Sequence, residues 1–165
     1  MKTTYNLSST EFIKKVFIEG IGKLVDDGSY HFAFLSMSQA IETLGSFLDA
    51  KPLKARDQSK LRFSHAINKL MPFKYADLNN HHELYNQLRA SLAHTFTPGR
   101  RLILTSKANR ENGSRHLQIK DEQLILVAED FYQDFKKACL RLLEGMDQGI
   151  IHEKKKNTAF YYTFD

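Results

Sequence analysis

Cysteine is nearly absent: Cys139 is the one thiol in 165 residues. No intramolecular disulfide can form, and a cysteine cage for a metal is excluded. Long apolar runs are missing as well. Nowhere do about 18 apolar residues follow one another, so no membrane span is expected. No glycine-rich phosphate loop occurs, which speaks against P-loop and dinucleotide-fold sites; no cofactor is expected. The opening stretch, Met1 to Thr10, is polar and lacks the basic-then-apolar pattern of a signal peptide. A reducing, cytoplasmic setting follows most simply. Proline is scarce, and Pro52, Pro72 and Pro98 each fall between periodic segments, where helices must stop.

What is present is apolar and aromatic mass: 42% hydrophobic residues, with twelve Phe and seven Tyr. That suffices for a packed core in one domain over residues 1–165. The formal net charge is +5. Lys51 to Lys74 holds seven Lys or Arg against Asp57, and Arg100 to Arg115 holds five against Glu111. Asp121 to Asp134 carries five acids and no base. Such a surface either attracts phosphates or is simply a solvated mixture of charges.

The periodicity predicts a mainly α fold of about five helices. The first starts near Ser9 or Thr10, carries Ile13, Phe17, Gly20, Ile21 and Leu24, and ends at Asp27-Gly28. Ser29 caps the second, to about Ala50, with Met37, Ile41, Leu44 and Leu48 inward and Phe32, Phe34 and Leu35 broadening the stripe. Asp57 caps a third over 58–71, bearing Leu61, Phe63, Ile67, Leu70 and Met71. A loop follows through Asn79, and Asn80 caps a fourth over 81–95, closed by Thr97-Pro98-Gly99. Leu102–Leu104 and His116–Ile119 read as a small β-hairpin insertion, about 101–120, around Asn112-Gly113. Leu124–Val127 is either a third strand or, if Asp121 is a cap, the start of the next helix. The last helix covers about 128–144. The tail, about 150–165, with Phe160, Tyr161, Tyr162 and Phe164, is a strand, a docked segment or partly disordered.

One constellation carries chemistry. Arg89 and His94 stand near the end of the fourth helix. Arginine offers a permanent planar cation matched to phosphate oxygens; histidine exchanges a proton near neutral pH. Together they suffice for metal-free RNA cleavage by a 2′-hydroxyl. Five residues separate them by about 140° around an ideal helix. Meeting one phosphate therefore needs a distorted helix end or a second copy of the chain, which argues for a dimer. The plainer reading places two bases against the negative end of the helix dipole. Ser38 and Glu42, four apart on the second helix, share a face. Glu42 can orient or pair Arg89 or His94; the alternative is a local helical contact.

The Arg89-x4-His94 spacing, closed by Thr97-Pro98-Gly99, resembles the R-x(4–6)-H motif of HEPN domains. Ser38-Gln39-Ala40-Ile41-Glu42 is similar to the S-x3-D/E pattern of some members. The resemblance implies a four- or five-helix bundle, usually dimeric, often a metal-independent endoribonuclease with its motif in a cleft between subunits. It implies Arg89 as phosphate-stabilising group and His94 as acid–base group, with Glu42 and Ser38 in support. Other HEPN-like modules bind a nucleotide, RNA or a protein partner without catalysis. Ala90 departs from the polar residue that often follows the motif arginine.

Other features have plainer readings. His81-His82-Glu83 lacks convergent metal-ligand spacing and reads as polar first-turn residues. His65 reads as a surface or core residue and Cys139 as a buried small hydrophobe. Tyr85 either stacks on a base or packs against the bundle.

Overall fold

The structure, a computed structural model, describes residues 7–154. The first helix, α1, is one rod built from Ser9–Phe12, a π-helical stretch Ile13–Gly20, and Ile21–Asp26. Its cap is Ser8, not Ser9 or Thr10: Ser8 Oγ accepts from Glu11 N while Glu11 Oε2 accepts from Ser8 N. That reciprocal box satisfies two otherwise orphan donors. The buried residues Ile13, Phe17, Ile21 and Val25 recur at every fourth position. An α-helix drifts about 40° per such step, so a wider turn is needed to keep them on one face. The π stretch supplies it, and Tyr132 Oη donates to Ile18 O at 2.7 Å beside it. This wider winding buries Val25 and leaves Leu24 half-buried.

Helix α2 is Tyr30–Ser46, central and apolar. Phe34, Met37, Ile41 and Leu44 are buried, whereas Phe32, placed inside by periodicity, is 55% exposed. Helix α3, Ser59–Lys69, crosses α2 closely at Gly45, where a Cβ would stand 1.8 Å from Arg62 O. Its N-cap is Gln58, and Asp57 is a left-handed residue just before it (φ 56°). Leu61 is exposed, not core. The stretch after Pro72 is helical where a loop was expected: α4 spans Lys74–Leu78, followed by a 3-10 turn, Asn80–His82. Asn79 rather than Asn80 serves the next helix, its Oδ1 accepting from Tyr85 N.

Helix α5 joins a π-helical stretch, Tyr85–Ala90, to the α-helical Ser91–Thr95. Leu84, Leu88 and Leu92 are buried here, again four apart across a π stretch. Strand β1 is Leu102–Thr105, β2 Ile119–Lys120 and β3 Gln123–Val127. The sheet order is β1-β3-β2, with β1 parallel to β3 and β2 antiparallel to it.

The expected hairpin between Leu102–Leu104 and His116–Ile119 is therefore corrected. The hairpin joins β2 to β3 through Asp121-Glu122, both at positive φ (50° and 62°), the signature of a type I′ turn. Leu117, also left-handed at φ 62°, breaks the run before it can pair as a regular strand. Helix α6, Ala128–Asp147, begins after β3, so Asp121 caps no helix. Phe131, Phe135, Ala138, Cys139 and Leu142 are buried and join α1, α2, α3 and α5 in one apolar cluster. The expectations for Phe160, Tyr161, Tyr162 and Phe164 lie outside the described residues. No helix among the described residues is long and apolar enough to cross a membrane.

Candidate functional site

Helices α2 and α5 carry the four residues singled out from the sequence. Arg89 Nε lies 2.5 Å from Glu42 Oε2, with side chains 15% and 20% exposed. Neither atom makes an aligned hydrogen bond, so the pair is held by charge more than by a directed N–H···O bond. The guanidinium also lies 5.8 Å from the centroid of the Tyr85 ring, and Lys60 Nζ lies 5.9 Å from it. Tyr85 itself is buried and meets Phe63 edge-on. It packs in the bundle and supports Arg89 from one side. Arg89 Nη1 and Nη2 have no hydrogen-bond partner among the described residues.

Ser38 is fully buried and its Oγ donates to Leu35 O at 2.8 Å. That is a bond within its own helix, and its hydroxyl is turned away from solvent. His94 is exposed and makes no hydrogen bond or ion pair among the described residues. No contact joins it to Arg89. The helix does distort, but the π stretch ends at Ala90 and leaves Ser91–Thr95 as ordinary α-helix. The π winding thus takes in Arg89 but not His94, and no hydrogen bond or ring contact brings the two side chains together.

The helix end is anchored from behind. Gly99 N donates to Gln87 O at 2.8 Å, and Arg101 N donates to Gln87 Oε1 at 3.0 Å. A Cβ at residue 99 would stand 2.0 Å from Gln87 Oε1, so a side chain there would displace the carboxamide that holds Arg101 N.

Three groupings were not legible from spacing. At the open end of α5, the exposed rings of Phe96 and His31 lie parallel, 6.5 Å apart and 10° from coplanar orientation. Phe96 is left-handed (φ 57°) and 55% exposed. A large apolar residue where glycine or asparagine usually ends a helix was its one sequence signal. Second, Tyr75 Oη donates to Asp134 Oδ2 at 3.0 Å and lies 2.9 Å from His116 Nε2. Val127 N donates to His116 Nδ1, so the ring proton sits on Nε2. Burial, reinforced by the Asp134 charge, pushes the Tyr75 hydroxyl well above its ordinary range. Burial alone would raise Asp134 too, but bonds from His116, Tyr75 and Lys137 outweigh it and hold the carboxyl low.

The third grouping takes in one of the paired histidines. His82 Nδ1 lies 2.8 Å from Ser64 Oγ, which accepts from Asn79 Nδ2 at 3.0 Å. His81 and His82 are both left-handed (φ 51° and 61°), not first-turn helical residues. Among the basic residues of the middle segment, Arg62 is buried and bound to Asp49, Leu53 O and Pro52 O. It is structural. Arg101, Lys107 and Lys120 pair with Glu83, Asp130 and Glu111.

Compared with known proteins, the chain matches no family model, no curated protein and no solved structure.

Proposed function

We propose that the chain is a HEPN-like domain that binds RNA and, as a homodimer, cleaves it without a metal ion. One observation carries this reading. Arg89 is held at its Nε edge by Glu42, its Nη atoms make no hydrogen bond among the described residues, and His94 is exposed farther along the same helix. A guanidinium steadied on one edge, with no hydrogen bond on the other, suits a phosphate.

In the proposed step, the 2′-oxygen of a ribose bonds to the adjacent phosphorus as its proton passes to one His94. The P–O5′ bond breaks, and the 5′-oxygen takes a proton from the second copy's His94. Arg89 stabilises the added negative charge on the phosphorane oxygens. Glu42 is a positioning residue in this scheme. Within one chain no contact joins Arg89 to His94 among the described residues, which is the reason the scheme calls on two copies.

The test is incubation of single-stranded RNA with wild type, Arg89→Ala and His94→Ala in EDTA. Cleavage by wild type, reduced about 10²- to 10⁴-fold in His94→Ala, is expected. Equal cleavage by all three, or none by wild type, defeats the nuclease reading. A non-catalytic module binding nucleotide, RNA or a protein partner is the second reading, favoured by Ala90 and by the burial of Ser38. RNA bound through Arg89 without turnover would select it.

A further inference from the structure

Phe96 is unusual in two independent ways. It ends α5 in the left-handed conformation, at φ 57°, where a residue with a Cβ is strained. It also leaves a large ring 55% exposed, the same degree as Phe32. Neither choice helps the fold. Glycine or asparagine would end the helix with less strain, and a polar residue would meet water at lower cost. The ring is nonetheless held in place, because it lies parallel to the exposed ring of His31 at 6.5 Å. His31 in turn meets Phe32 edge-on at 5.9 Å.

The place of these rings follows from the helices that carry them. Helices α2 and α5 are tied at two points, His31 to Phe96 and Glu42 to Arg89. The first residue of each helix-α2 pair meets the later residue of α5, so the two helices run antiparallel. At 1.5 Å per residue, the ring pair lies roughly 10 to 16 Å along the bundle from the guanidinium. His94 stands between them, two positions before Phe96.

We infer that His31 and Phe96, with Phe32 at their edge, form a stacking platform for an unpaired base of single-stranded RNA. This deepens the reading above and rests on it for the identity of the ligand. Aromatic faces accept any base whose face is free, and base pairs within a duplex offer none. A phosphate at Arg89 and a base at Phe96 are separated by the length of a short strand. A lone mononucleotide is therefore not the expected ligand. Tyr85, four residues before the motif arginine, is buried and cannot serve.

The experiment uses a short single-stranded RNA carrying 2-aminopurine, protected by 2′-O-methyl groups so that binding is read without cleavage. Wild type should quench its fluorescence on binding, and a duplex of the same sequence should bind more weakly. Phe96→Asn is the informative variant, because asparagine tolerates the left-handed backbone. It should unfold at the same or a higher urea concentration than wild type, yet bind the single strand about 5- to 150-fold more weakly. Phe96→Tyr should retain binding, and His31→Ala should lose part of it. Unchanged affinity in Phe96→Asn, equal duplex binding, or no binding by wild type overturns the platform. Loss of dimer in Phe96→Asn also overturns it and assigns the rings to a subunit contact. The two claims fail separately: inert Arg89→Ala and His94→Ala substitutions with a sensitive Phe96 sink the nuclease reading and leave the platform standing.

Discussion

Glu42 and Arg89 approach to 2.5 Å between Oε2 and Nε, on two helices that meet antiparallel in the core, with little of either side chain exposed. Removing one partner leaves the other charge largely desolvated. Arg89→Ala should cost about 1–3 kcal/mol in urea unfolding at pH 7, discounted from a fully buried pair because both groups retain some exposure. Glu42→Leu combined with Arg89→Met should recover most of that loss while remaining inactive on RNA. A double-mutant cycle with no coupling would show that the contact holds nothing.

Acid should loosen the knot around Asp49. Burial alone would raise its carboxyl pKa. Bonds from Arg62, Lys154 and Lys51 N outweigh burial and hold it well below the ordinary carboxylate range. A depressed folded value means the unfolded chain takes up the proton first. The stabilisation is present above an unfolded pKa of about 4 and is lost as pH falls through the folded value. Unfolding free energy should therefore drop below about pH 4 in wild type. Asp49→Asn should be weaker at pH 7, since Arg62 is then buried without its counter-ion, and should show a flatter acid limb. Parallel curves would contradict this.

Gly45→Ala tests the closest helix crossing. Alanine favours a helix interior by about 1 kcal/mol over glycine. Here its Cβ would overlap Arg62 O, a backbone atom that cannot swing aside. The net effect should be a loss of about 1–3 kcal/mol as α2 and α3 are pushed apart. A gain in stability would mean that the crossing is looser than described.

Tyr75→Phe removes the hydroxyl that links His116 to Asp134. Both groups are then short of a partner, at a cost of about 1–2 kcal/mol. The loss should appear locally: amide exchange in residues 116–127 should quicken more than in α1. Uniform acceleration would place the network's effect on the whole core instead.

Most helices were legible because buried apolar residues repeat at helical spacing and proline and glycine fall between the repeats, whereas the capping residues were mostly displaced by a position. The four-residue spacing of Ile13, Phe17, Ile21 and Val25, and of Leu84, Leu88 and Leu92, also held a signal for π stretches that a 3.6-residue period does not capture. Strand pairing was less legible. Asn112-Gly113 is a strong local turn signal, and Gly113 does take positive φ. Pairing depends on which partner buries Leu102, Leu126 and Val127, and that partner lies across the sheet.

By itself, the amino-acid sequence determined the mainly helical class, the absence of a disulfide within the chain and the presence of Arg89 and His94 on one helix. These depend on neighbours a few positions apart. Tertiary structure alone decided that Glu42 meets Arg89, that Ser38 turns into its own helix, that Arg62 is buried, and that His31 faces Phe96. Each of those outcomes depends on how the helices pack. Side chains distant in the chain meet according to crossing position and winding, and spacing along one helix carries no record of either.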